Sequence, residues 1–261
     1  MYRKLARAWG RQHWWPAETP FEVIVGAILT QNTSWTNVER AISSLGAAGK
    51  LSVEGVRKVP LAELEELIRS SGYFRQKAQR LKNFIAFLDA RYQGSLERMF
   101  ASLTESLRTE LLELNGIGPE TADSILLYAG NHPIFVVDTY TRRILERHEA
   151  IQPRAKYDEI RTLVERALKR EEAPELPAGR LRKQRPEAHP PSAMSKAQRT
   201  PLAQVYNEMH GLFVQAGKHY CLKAEPRCEL CPLGPMLRVR PKPDAAKTTL
   251  ASRRRSGRDL W

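Results

Sequence analysis

The sequence predicts an almost entirely α-helical protein, and three observations carry that prediction. Apolar residues recur at three- and four-residue spacing in segment after segment. No segment sustains the two-residue alternation of a half-buried strand. Helix-start chemistry sits where it should: Thr19 stands before Pro20, a capping hydroxyl followed by the residue best suited to a first helical turn.

Taken in order, residues 2–10 form a short helix. His13-Trp14-Trp15-Pro16 follows as an aromatic cluster closed by proline. From Pro20, the residues Phe21, Ile24, Val25, Ile28 and Leu29 share one helical face, and Gln31-Asn32-Thr33 interrupts the pattern. Residues 34–45 make the next helix, with Trp35 near its start. Residues 61–68 and 75–92 are helical by period, and between them Ser70-Ser71-Gly72-Tyr73-Phe74 forms a tight turn carrying two aromatics. The spacing predicts further helices over 103–112, 119–128, 139–148 and 157–168. Residues 170–200 hold five prolines and many charges with few large apolar groups. Such a stretch cannot bury enough surface to offset the entropy of ordering, so it reads as a flexible insertion. The helical pattern resumes over 202–216. From 238 to 261 the chain is basic and reads as a disordered tail that either attracts phosphates or simply aids solubility.

The 261 residues suffice for one large core or two modest ones, and an apolar fraction of 42% is ordinary. The charge is not ordinary. Lys and Arg outnumber Asp and Glu by 42 to 29, a formal net charge of +13, which calls for a polyanionic partner. Nucleic acid comes first and an anionic membrane surface second. No apolar run approaches the roughly 18 residues of a membrane span. The N-terminal residues lack the apolar centre of a signal peptide, so a cytoplasmic, nucleoid-associated protein is expected.

The most informative stretch is LNGIGPETADSILLYAGNHPIFVVDTYTRR, residues 114–143. Its glycines, Gly116 and Gly118, permit positive φ and close approach of another backbone. The amides of such a turn and of the helix that follows, with Thr121 in its first turns, would face a DNA phosphate. The plainer reading is a glycine-rich connector between packed helices. Asp138 follows a Gly/Pro loop and the apolar run 134–137, and it precedes a helix. It can serve as the cap of that helix, as a catalytic carboxylate, or as both.

In this order and spacing, hairpin, Gly/Pro loop and aspartate resemble the helix-hairpin-helix-GPD superfamily of DNA glycosylases, in its endonuclease III-like branch. Leu29-Thr30-Gln31-Asn32-Thr33, the turn Gly72-Tyr73-Phe74 with Lys77-Ala78, and a cysteine loop carry the resemblance further. It implies two helical domains flanking a DNA-binding cleft. The first is 20–133, with the hairpin at 107–130; the second is 1–19 plus 134–237, with the aspartate and the cysteines. It implies a monomer acting on double-stranded DNA that contains a damaged base. In strand-cleaving members a lysine two residues after the second hairpin glycine attacks the sugar. Glu120 stands there, so Schiff-base lyase activity should be absent or incidental.

Glu120 with Asp123, Trp14-Trp15-Pro16 and the aromatic Trp35 look instead like the 3-methyladenine DNA glycosylase III subgroup. By that likeness Pro16 and Trp35, next to Trp15, sandwich the extruded base, Tyr73 wedges into the duplex and Gln31 fills the gap. The resemblance implies base excision repair by hydrolysis at Asp138, with alkylated purines such as 3-methyladenine as substrate. Oxidised pyrimidines or mismatches, or DNA binding without catalysis, are the alternatives. For the tryptophans the plainer role is core packing, and for Glu120 a solvated first turn.

The three cysteines, Cys221, Cys228 and Cys231, cluster in an otherwise cysteine-free chain, a pattern of metal binding and not of disulfides. Their spacing resembles the first three ligands of the family's 4Fe-4S loop. The fourth position is Leu237. His219 could supply a fourth donor, a Cys3His zinc site is a second option, and a loop that folds without metal is a third.

Overall fold

The computed structural model describes residues 1–171 and 189–237, and among them every regular element is helical. Helix α1 is Tyr2–Trp9 and α2 is Pro20–Leu29, the apolar centre of the first half. The Thr19 hydroxyl accepts from the Glu22 N–H at 3.1 Å, so the cap read from sequence is present. Val23, Ile24, Val25, Ile28 and Leu29 of α2 are buried completely, because partners cover it on several sides. These are α3 (Trp35–Ala47), α6 (Phe74–Tyr92) and α9 (Pro119–Ser124). Two short helices that the period does not reveal, α4 (Val53–Lys58) and α7 (Leu96–Phe100), flank α5 (Leu61–Leu67) and α6. At six and five residues they are too short to establish a period.

Helix α8 (Thr104–Leu112) and α9 form the hairpin pair. The helix expected over 119–128 is α-helical only to Ser124; a π turn, Ile125–Ala129, continues it. All but Ala129 of that turn is fully buried. The turn lies between α2 on one side and α13 (Pro201–His219) on the other. Helix α13 also packs on α1, on α10 (Thr139–Arg147) and on α11 (Tyr157–Leu168). A buried ion network crosses between elements. Arg108 of α8 donates to Asp123 of α9 at 2.7 Å and to Asp158 of α11 at 2.8 Å. Burial raises the Asp123 carboxyl to about 6 even with Arg108 beside it, so this residue works as a structural anchor.

The apolar run Ile134–Val137 is buried but lies outside any regular element. Side chains of the second half satisfy its amides instead: the Phe135 N–H donates to Glu165 at 2.9 Å and the Val137 N–H to the Tyr157 hydroxyl at 3.2 Å. This fixes the approach to Asp138.

Two sequence expectations need correction. The stretch 170–200 is not flexible throughout. Residues 172–188 lie outside the described residues, but 189–200 docks on the aromatic loop. A one-turn helix, α12 (Ala193–Lys196), is capped by Ser192, whose hydroxyl donates to the Trp15 carbonyl at 3.2 Å, while the Met194 N–H donates to Ala17 at 3.0 Å. Backbone and hydroxyl hydrogen bonds, with one buried Met194, order a segment that is poor in large apolar residues. Gly118 does not use positive φ either; it is extended, at φ −92°, and only Gly116 of the pair is left-handed, at φ 85°. The basic tail, 238–261, lies outside the described residues.

Candidate active site

Asp138 is the N-cap of α10. Its Oδ1 accepts from the Thr141 N–H at 2.7 Å, and its Oδ2 lies 3.6 Å from His210 Nε2 on α13. Its side chain is 11% exposed and that of His210 5%. Burial pushes the Asp138 carboxyl up, yet the charge and proximity of His210 and the Thr141 N–H outweigh burial and hold it below the usual carboxylate range. Asp138 therefore stays ionised in a nearly enclosed place.

Glu120, in the first turn of α9, is within electrostatic reach of Asp138 and His210. Burial first and the Asp138 charge second raise its carboxyl to about 7. Its side chain is nonetheless solvent-accessible.

The aromatic residues divide by depth. Trp15 is in the core, with its indole over Gly26, where a Cβ would come within 3.2 Å of it. Trp35 is half-buried at the start of α3, edge-on to Trp15 at 5.2 Å, and its Nε1 donates to Glu39. Trp15 thus braces Trp35 from beneath, and Pro16 is half-buried beside it. Trp14, on the other side of the loop, stands 6.2 Å from the His210 ring, and Lys218 Nζ lies 5.8 Å from the Trp14 ring centre.

Tyr73 is 66% exposed and left-handed at φ 47°, at the head of α6. Buried Lys77 holds its turn, donating to the carbonyls of Ser71 at 2.6 Å and Leu29 at 2.9 Å, and thus ties it to the end of α2. Gln31, just beyond that end, is engaged with the hairpin. Its Nε2 donates to the Gly116 carbonyl and to Thr121 Oγ1, both at 3.1 Å, and its Oε1 accepts from Arg80 at 2.5 Å. Thr121 is buried and supports Gln31; it does not face outward. Gly116 lies directly against the Arg80 side chain, while a Cβ on Gly118 would meet nothing within 4 Å. Gly118 is the hairpin position open to an approaching backbone.

Cys221, Cys228 and Cys231 line one small pocket, and Leu237 lines it too. His219 is exposed and does not line it; His148 does, and its Nδ1 is buried without a hydrogen-bond partner among the described residues. Arg147 donates to Cys221 Sγ at 2.9 Å. Among the described residues no three His, Cys, Asp or Glu side chains are grouped to hold a single metal ion.

Residues 25–170 match the family described as HhH-GPD superfamily base excision DNA repair protein. The chain belongs to that superfamily. It is 40% identical over 235 residues, 89% of this chain and 92% of the other, to a Methanocaldococcus jannaschii protein whose assignment as a DNA repair glycosylase is provisional. It is 27% identical to endonuclease III of Thermotoga maritima, over 88% of this chain and 86% of that one. In structure it is similar to 3-methyladenine DNA glycosylase MagIII of H. pylori bound to 1,N6-ethenoadenine. That match has a TM-score of 0.62 at 28% identity and covers 83% of this chain and 92% of that one. The protein is thus an endonuclease III-like DNA glycosylase of base excision repair. No helix among the described residues is long and apolar enough to cross a membrane.

Sequence reasoning missed His210 and Tyr128. Both sit on apolar helical faces and read as core, and nothing local marks them. It also took His219 as the histidine nearest the cysteines, since nearness in the chain was the only guide.

The two hairpin glycines should respond differently to alanine. Gly116→Ala forces a Cβ into a left-handed residue against Arg80 and should cost about 1–2 kcal/mol of stability in urea unfolding. Gly118→Ala should leave stability unchanged within about 0.5 kcal/mol but weaken binding to undamaged duplex measured by fluorescence anisotropy.

Proposed function

We propose that this protein is a monofunctional glycosylase that extrudes an N-alkylated purine, 3-methyladenine first, and hydrolyses its glycosidic bond at Asp138, leaving an abasic site. The observation that carries the substrate assignment is Glu120, a carboxyl near neutrality in the cleft beside Asp138, where a lysine would repel a cationic base. A positive base draws off the Glu120 proton and gains a charge partner. Trp35 and Pro16 offer faces to the extruded base, with Trp15 behind them, and stacking of this kind supplies about 1–3 kcal/mol per base. N-alkylation makes the base a good leaving group, so no strong acid is required. Asp138, ionised and held in place, stabilises the developing positive sugar and orients water at C1′.

Tyr73 wedges into the duplex, and Gln31, held at the hairpin, stands by the gap. The hairpin backbone at Gly116 and Gly118 receives a DNA phosphate, with Thr121 buttressing Gln31. The helical units 20–133 and 1–19 with 134–237 form the two sides of the cleft, and the protein acts as a monomer.

A 4Fe-4S cluster is the cofactor this reading favours. The three thiols share one pocket with His148, whose buried Nδ1 has no hydrogen-bond partner among the described residues and is the fourth donor available there. Cys221, Cys228, Cys231 and His148 would hold it. Its contribution would be to brace the loop that carries exposed Lys223 and Arg227.

Three outcomes are expected. Asp138→Asn should abolish release of methylated bases, identified by mass from alkylated duplex, while binding to the duplex persists; release of oxidised or mismatched pyrimidines by the wild type would instead assign the substrate to the other branch. Affinity for duplex containing a cationic alkylated base should rise from pH 6 to 8, following Glu120, whose pKa of about 7 falls on contact with a cation, and affinity for a neutral lesion should not. Glu120→Gln should erase the difference. Protein purified without oxygen should contain iron and acid-labile sulfide and absorb in the visible, and His148→Ala should lower the iron content; zinc alone, or no metal, would refute the cluster.

A further inference from the structure

We propose that His210 and Tyr128 form a positioning chain that orients the Asp138 carboxylate, an inference that rests on the hydrolytic reading of Asp138. Tyr128, on the π turn, is fully buried, and its hydroxyl meets His210 Nδ1. The opposite ring nitrogen, Nε2, faces Asp138 Oδ2 at 3.6 Å. With the neutral ring's hydrogen on Nε2, the Tyr128 O–H donates to Nδ1, and with the ring charged, Nδ1–H donates to the Tyr128 oxygen. In both arrangements Nε2 carries a hydrogen toward Asp138. Nε2 has no partner within hydrogen-bond distance, a gap of the kind that closes when a site is filled.

The arrangement grips Asp138 from both sides. The Thr141 N–H holds Oδ1, and the imidazole Nε2 faces Oδ2 from 3.6 Å. A carboxylate fixed in this way keeps one defined lone-pair direction on each oxygen for water and sugar. The π turn has a part in this, since its wider winding sets the Tyr128 ring 5.8 Å from His210 and against Trp15 at 5.1 Å. Other charged groups act on the chain from the elements around it: Glu120 of α9 on Asp138 and Tyr128, Arg199 before α13 on Tyr128, and Lys218 of α13 on Asp138. None of them replaces the contact made by His210.

The test uses the full-length protein in single turnover on duplex containing the lesion that the wild type excises. His210→Ala should lower the rate at least about tenfold (near 1.4 kcal/mol), with duplex affinity within about twofold. The acidic limb of its pH–rate profile should move up, because Asp138 loses the group that offsets its burial. His210→Gln, which keeps an N–H near the position of Nε2, should recover most of the rate, and Tyr128→Phe should show a smaller loss of the same kind. A His210→Ala enzyme with wild-type rate and limb would overturn the proposal, and so would a His210→Gln enzyme no better than alanine. Imidazole nitrogen shifts read the same question without turnover: hydrogen on Nε2 supports the chain, and hydrogen on Nδ1 alone refutes it. If the wild type released no base from any lesion, the hydrolytic reading would fail, and the nitrogen shifts would still decide whether the chain exists.

Discussion

A carboxylate kept ionised where water scarcely reaches is the constraint on which the rest of this structure depends. Burial alone would raise the Asp138 carboxyl above the usual carboxylate range. Two groups prevent that, the Thr141 N–H at the start of α10 and the edge of His210 on α13. The packing of α13 on α10, and the side chains of Tyr157 and Glu165 that satisfy the apolar run before Asp138, serve that placement. The aspartate is therefore a product of the second half of the chain as much as of its own motif.

Glu120 shows the complementary effect. It meets a neighbouring negative charge without a comparable partner, and its proton is held to about pH 7. Two electrostatically coupled carboxyl groups thus differ in ionisation because one has donors aimed at it and the other does not.

Much of this was legible beforehand because it is local. Thr19 before Pro20, the left-handed Gly116 and the Asp138 cap follow from neighbours in the chain, and each stands in the structure as read. Residues with distant partners were not legible. His210 meets a hydroxyl 82 positions away, and a single histidine on an apolar helical face reads as core. Gln31 and Thr121 looked like independent DNA contacts; the structure joins them to each other at 3.1 Å, so one supports the other. The segment 189–200 looked too polar to order, since composition does not reveal that its backbone could bond to the aromatic loop.

By itself, then, the sequence determined the helical class, the hairpin, the carboxylate at the head of α10 and the glutamate two residues after the second hairpin glycine. Period, turn chemistry and residue identity are written in contiguous residues, and each of these features depends on nothing else. The tertiary structure alone decided that Trp15 braces and Trp35 faces outward, and that His148 instead of His219 shares the cysteine cavity. It also decided that Asp138 is charged while Glu120 is poised near neutrality. Those outcomes depend on burial and on distances between remote segments, which only the folded chain defines.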